Sequence, residues 1–312
     1  MKVTINVPAR SPLFGRVALL GLGLIGGSVA AAIQKQGLAT SVIAFDQSSA
    51  ELETGLSLGL IDEAAKSLEQ ALVGADLVVI AVPVLAIAQI LQQIGEVVSP
   101  EAIITDVGSV KVPVIDAARQ YLPQRLSRVV PGHPIAGSER HGVVAADGGL
   151  FEHHKVILTP VTETDADAIQ RLTIFWQAMG AEVVQMSPEH HDAVLAQTSH
   201  LPHLLAYALI DTLSQQGDSL EIFDYAAGGL RDFSRIAASD PVMWRDIYQA
   251  NSGPVLAILD RYMQELLELR SMIATGRADD LAEVFGRAKM ARDHFSKVLS
   301  ERSERSTAGD HS

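Results

Sequence analysis

Three parts of the chain gather the residue types that proton and hydride chemistry needs. They are Asp106-Val107-Gly108-Ser109-Val110-Lys111, then Gly132-His133-Pro134-Ile135-Ala136-Gly137-Ser138-Glu139, and Ser199-His200-Leu201-Pro202-His203 with Gly228-Gly229-Leu230-Arg231-Asp232-Phe233-Ser234-Arg235 further on. An alcohol that gives up a hydride must also lose its hydroxyl proton to a group that titrates near neutrality, and imidazole suits that role. Taken alone, His133 between Gly132 and Pro134 also fits a turn residue, and Arg235 also fits an exposed helix position.

A hydride needs an acceptor, and the sequence carries a site for one. Gly21-Leu22-Gly23-Leu24-Ile25-Gly26 matches G-x-G-x-x-G, follows an apolar strand, opens the helical stretch Ser28 to Gln36, and precedes a second strand ending in Asp46. That context is the dinucleotide fingerprint: Gly21 for the tight turn, Gly23 for backbone approach to a pyrophosphate, Gly26 for close helix–strand packing, and a helix N-terminus for the phosphates. Asp46 suits the ribose hydroxyls and would repel a 2′-phosphate, which favours NAD over NADP, and Gln47-Ser48-Ser49 offers no arginine for that phosphate. The alternative for Asp46 is a cap on the following turn. Val82-Pro83 and Ser109, each following a strand, complete the expected cofactor surface.

The elements that must position these residues alternate in the first half. Apolar runs at 17–20, 41–45, 77–82 and 102–105 read as strands buried on both faces, separated by helical patterns, which gives a parallel sheet. Further strands are expected at 128–130, 155–159 and 182–185, with a helix over 166–179. After Ser187-Pro188 helical periodicity takes over; Ser187 can cap a helix with Pro188 first and Glu189 in its first turn. Helices are expected over 204–213, 241–250, 255–272 and 278–299, with Pro202 kinking the first helix or ending it at Leu201. The expected fold is an α/β Rossmann-type nucleotide-binding domain over 1–187, followed by an all-α helical dimerisation domain over 188–300. Glu301 to Ser312 has little to bury and is expected to be a disordered tail. Long amphipathic helices with more apolar face than a small domain can cover suggest a homodimer.

Composition narrows the partners. The chain has 312 residues, 37 acidic against 24 basic, and a formal charge of −13, which opposes nucleic-acid binding. It has no cysteine, which excludes disulfides, thiolate catalysis and cysteine-held metal centres and suits the cytoplasm. Uncharged Val17 to Ile33 imitates a signal peptide, but its glycines fit the nucleotide turn and it is shorter than the roughly 20 apolar residues of a membrane span. The pairs His153-His154 and His190-His191 lack metal-ligand spacing, so no metal is expected.

The segments DVGSVK, GHPIAGSE, TSHLPHLLAY and GGLRDFSRIAASDPVMW, in this order after the nucleotide fingerprint, closely resemble the prephenate and arogenate dehydrogenases of tyrosine biosynthesis over roughly residues 15 to 300. The flavour is that of the broad-specificity cyclohexadienyl dehydrogenases. The resemblance implies NAD-dependent oxidative decarboxylation of prephenate, arogenate or both. It also implies site roles: His133 as catalytic residue, Ser109 assisting near the substrate hydroxyl and nicotinamide, His203 lining the substrate pocket, and His200 as its neighbour. Arg235 would clamp the ring carboxylate, Glu139, Asp232 and Arg235 would form an ionic network at the pocket entrance, and Trp244 would reach the site from the dimer partner. Glu139 leans toward tolerating the ammonium group of arogenate. The β-hydroxyacid dehydrogenases share the architecture, yet their resemblance includes a lysine on the first helix after the nucleotide domain, and no lysine occurs from Pro188 to Gln216. A non-catalytic NAD-binding sensor would leave His133, His203 and Arg235 without a purpose.

Overall fold

The computed structural model describes residues 11–137, 140–215 and 219–309. Its first part alternates strands and helices: β1 (Phe14–Leu20), α1 (Leu24–Gln36), β2 (Ala39–Phe45), α2 (Ser49–Ser57), β3 (Glu63–Ala64), α3 (Leu68–Leu72), β4 (Leu77–Ile80), α4 (Val84–Ile94), β5 (Ile103–Asp106) and α5 (Val112–Tyr121). The five strands form one parallel sheet in the order β3-β2-β1-β4-β5. Successive residues of one strand enter opposite cores. Val17, Leu19, Val42, Leu77 and Val79 join the α1 side, whereas Ala18, Leu20, Ile43, Val78 and Ile80 join the side packed by α3, α4 and α5. Burial of both faces explains why these strands are continuously apolar.

From β1 the chain runs outward to β2 and from β4 outward the other way to β5, so the carboxyl ends of β1 and β4 flank the switch point where such folds bind ligands. A second sheet follows, made of β6 (Gly132–Pro134), β7 (Lys155–Leu158) and β8 (Glu182–Gln185), with α6 (Ala166–Ala178) between the last two. Here the expected strand over 128–130 is corrected. Pro123–Arg128 winds as a 3-10 helix and only Val129 makes an isolated bridge, to Ile104. The strand lies a few residues later and runs antiparallel to β7.

The remaining elements are helical: α7 (Pro188–Leu195), a π turn (Ala196–His200), α8 (Leu201–Ser214), α9 (Ser219–Asp224), α10 (Gly228–Ser234), a 3-10 turn (Arg235–Ala238), α11 (Pro241–Ala250), α12 (Ser252–Ala274) and α13 (Ala278–Gly309). Ser187 caps α7 by accepting from the His190 amide at 3.2 Å, with Pro188 in the first turn. Asp240 does the same for α11, accepting from the Met243 amide at 2.7 Å. Pro202 does not end a helix at Leu201. The break comes earlier, at Leu195, and the wide π turn lets Pro202 sit in the first turn of α8, where its missing N–H costs little.

The tail expectation is also corrected. Backbone helix continues in α13 to Gly309, consistent with the strong helix formers and absence of proline in Glu301 to Arg305, and residues 310–312 lie outside the described residues. The chain forms two compact units, one ending at Pro254 and one beginning at Val255. All of the site described next belongs to the first.

Candidate active site

The nucleotide turn is built by steric necessity. Gly21 has φ +101°, and a Cβ there would stand 2.5 Å from the Ala81 carbonyl, beside Val82. A Cβ on Gly26 would stand 2.1 Å from the Gly21 carbonyl. Both glycines are therefore required by the protein's own backbone. At Gly23 a Cβ would meet no protein atom within 4 Å, so the protein itself gives no steric reason for glycine there, whereas a ligand lying on the turn would. Gly23 opens α1 without a side-chain cap. That leaves the first-turn amides available to a diphosphate.

Asp46 proves to be more than either alternative. Its Oδ2 accepts from the Leu22 amide at 2.7 Å, and its Oδ1 from the Ser48 amide at 2.8 Å. The carboxylate braces the glycine turn and caps the loop after β2, with lone pairs left for ribose hydroxyls. Leu22 is buried, Leu24 and Ile25 are half-buried, and Val82-Pro83 leads into α4 next to Gly21.

Off the carboxyl end of β5 lies a buried polar knot. Asp106 accepts from the Gly108 amide at 2.8 Å and the Gly132 amide at 3.4 Å, and pairs with the Lys111 ammonium. Lys111, fully buried, also donates to the Gly132 carbonyl at 2.7 Å. Burial pushes the Lys111 pKa down while Asp106 pulls it up. The first and last members of the D-V-G-S-V-K segment thus pin the residue before His133. Half-buried Ser109 rides on the same turn.

His133 projects from β6, opposite Ile157 of β7. Its Nδ1 lies 2.8 Å from Nε2 of His191, whose Nδ1 lies 2.7 Å from Oδ1 of Asp192. Asp192 is held further by the Lys111 amide at 2.8 Å and the Val112 amide at 2.9 Å, the two that open α5. Burial pushes the His133 pKa well below its ordinary value, and the charges of His191, Lys111 and His200 push the same way. The imidazole is therefore neutral and able to accept a proton.

The helical wall supplies the rest. His200 is buried, its Nδ1 is 3.1 Å from the Asn251 amide nitrogen, and burial lowers its pKa to about 4. Asn251 also donates to the Asp192 carbonyl at 2.9 Å. Nδ1 of His203 donates to the Ser199 carbonyl at 2.9 Å, leaving Nε2 as an acceptor, and its ring stacks on Trp244 with centroids 3.8 Å apart. Trp244 packs with Ile247 against Val110, next to Ser109. Arg235 is exposed at the start of its 3-10 turn, and its charge lowers the His203 pKa after the larger effect of burial. Among the described residues, no cluster of three or more His, Asp or Glu side chains is placed to hold a metal ion.

A family model described as "Prephenate dehydrogenase, nucleotide-binding domain" matches residues 29–185, and "Prephenate dehydrogenase, dimerization domain" matches 187–287. The chain belongs to the prephenate dehydrogenase family. It is 39% identical to the cyclohexadienyl dehydrogenase of Zymomonas mobilis subsp. mobilis over 90% of this chain and 96% of that protein. The crystal structure of prephenate dehydrogenase from A. aeolicus in complex with hydroxyphenyl propionate and NAD+ superposes with a TM-score of 0.84, at 34% identity over 90% of this chain and 98% of that one. Synechocystis arogenate dehydrogenase superposes at 0.77, with 29% identity over 90% and 99% of the two chains.

Within this prephenate dehydrogenase fold, Trp244 stacks on His203 of its own chain. Asp232 pairs with its neighbour Arg231, at 3.2 Å on the surface, and Glu139, a member of the expected ionic network, lies outside the described residues. The residues that sequence reasoning missed are His191, Asp192, Lys111, Asp106 and Asn251. One signal for the first two was present. Pro188, His191, Asp192 and Leu195 form the buried stripe of α7, and a polar pair on a stripe that should be apolar marks a function or a network.

Proposed function

We propose that this chain oxidises prephenate, arogenate or both with NAD, releasing carbon dioxide from the ring, and that neutral His133 accepts the ring-hydroxyl proton. The observation that carries the reading is a half-buried, neutral imidazole pinned beside the carboxyl edge of a nucleotide-binding sheet. When bound, the nicotinamide supplies a hydride acceptor. The glycine turn and the start of α1 would hold its diphosphate and Asp46 its ribose, with Val82, Pro83 and Ser109 lining the same surface. The Arg235 guanidinium would fork onto the ring carboxylate, and His203, His200 and Trp244 would shape the pocket wall. Loss of the carboxylate aromatises the ring, so the residues need only position the substrate and take its proton.

Two further parts belong to this reading. The helical region pairs with a second copy: the matched dimerization domain supports this, as do exposed Leu256, Met263, Leu267, Ile273, Phe285 and Met290 on α12 and α13. The cytoplasm is the location this reading proposes; separately, no helix among the described residues is long and apolar enough to cross a membrane. The test is NADH formation with prephenate and with arogenate, each crossed with NAD and NADP. Turnover of at least one of them with NAD is expected; no turnover of either would overturn the reading.

A further inference from the structure

The structure assigns His191 and Asp192 as positioning residues of the proton step: they fix His133 in the tautomer with a bare Nε2 and share the charge it gains. The inference rests on the reading of His133 as proton acceptor and extends it to residues of α7.

Asp192 receives the Lys111 and Val112 amides, so its carboxylate faces donors on every described side and must accept from His191 as well. Nδ1 of His191 therefore carries a hydrogen. Burial lowers the His191 pKa, with Lys111 opposing protonation while Asp192 and Asp106 favour it, so the ring is neutral and its Nε2 bears a lone pair. That lone pair lies 2.8 Å from His133 Nδ1, which must donate. A neutral His133 with its hydrogen on Nδ1 has an unprotonated Nε2. The orientation of the base is thus imposed by a carboxylate two residues removed in the hydrogen-bond chain.

The same chain answers where the proton goes. When the substrate hydroxyl breaks its O–H bond, the proton bonds to His133 Nε2 and the ring becomes cationic. Its Nδ1–H then bonds more strongly to His191 Nε2, and the Asp192 carboxylate offsets the positive charge spread over the two imidazoles. Lys111 and His200 oppose that charge, while Asp106 beside Lys111 offsets the ammonium. A network whose only task was packing would place no demand on which nitrogen bears the hydrogen.

Asp192→Asn is the informative change. An Asn oxygen at the Oδ1 position keeps the bonds from the Lys111 amide and His191 Nδ1, while its amide nitrogen faces the Val112 amide, so the tautomer is kept and the negative charge that offsets the imidazolium is lost. We expect kcat to fall about tenfold or more, with KM and NAD dissociation within about threefold. Nitrogen-15 NMR of the histidines, with His133 assigned by its loss in His133→Asn, should show the hydrogen on Nδ1 in the parent. Should Asp192→Asn not fold, His191→Gln and His191→Leu give the second test: the Gln carbonyl can still accept from His133 Nδ1, so it should recover at least tenfold in kcat over Leu. Parent-like kcat in Asp192→Asn, equal kcat in the Gln and Leu variants, or an Nε2 hydrogen in the parent would overturn the inference. If His133→Asn is inactive while Asp192→Asn is normal, the relay alone fails; if His133→Asn is active, the reading beneath it fails.

Discussion

The His203 imidazole lies nearly flat on the Trp244 indole, with centroids 3.8 Å apart and planes 23° from parallel. The stack ties α8 to α11, and Tyr207 reinforces it by donating to the Ser239 carbonyl at 2.6 Å. Trp244 is 6% exposed, and its Nε1 has no hydrogen-bond partner among the described residues. Trp244→Ala should cost about 3–5 kcal/mol of stability in chemical denaturation and raise KM, since His203 loses its backing. Trp244→Phe should keep more than half of that stability. Equal losses in the two variants would refute the stacking account.

Arg235 is exposed and begins a 3-10 turn, so removing it should leave the fold intact. Arg235→Gln should raise KM for the substrate about tenfold or more with little change in kcat, because a carboxylate anchor serves ground and transition states alike. A variant with unchanged KM would remove Arg235 from the site.

Asp46 braces the Leu22 amide, and its proposed ribose role adds the exclusion of a 2′-phosphate. Asp46→Ser with Gln47→Arg should therefore shift preference toward NADP and also weaken NAD binding, through the loosened turn. Steady-state kinetics with both cofactors checks this; unchanged discrimination would contradict the ribose role.

Three histidines, half-buried His133 and fully buried His191 and His200, have folded-state pKa values below the ordinary 6.5. In that range the unfolded chain binds more protons than the folded one, so stability rises with pH and is lost as pH falls below 6.5. For His200 the window runs down to about 4. Its share is on the order of 3 kcal/mol. The melting temperature should fall between these limits, and His200→Gln should flatten the slope. An unchanged slope would show that His200 is not held neutral by the fold.

The parts of the fold legible in the sequence are those whose physics is local. β1, β2, β4 and β5 are apolar because both faces are buried, and the glycine spacing of the nucleotide turn follows from backbone clashes that Gly21 and Gly26 avoid. β3 and β6 were hidden because two- and three-residue strands carry no period, and β6 ends in proline. His133 stood out through the motif GHPIAGSE, since its flanking Gly and Pro alone also fit a turn, whereas its partners did not stand out. His191 and Asp192 lie 58 and 59 residues away in sequence, and only the docking of α7 onto the start of α5 brings them together. The stacking of Trp244 on His203 was hidden for the same reason, since it depends on how α11 folds back over α8.

Whether His133 receives the substrate proton is read from kcat of His133→Asn at saturating NAD and prephenate. A fall of about 100- to 10,000-fold is expected, with KM and NAD affinity nearly unchanged. A variant that turns over at close to the parent rate would contradict it.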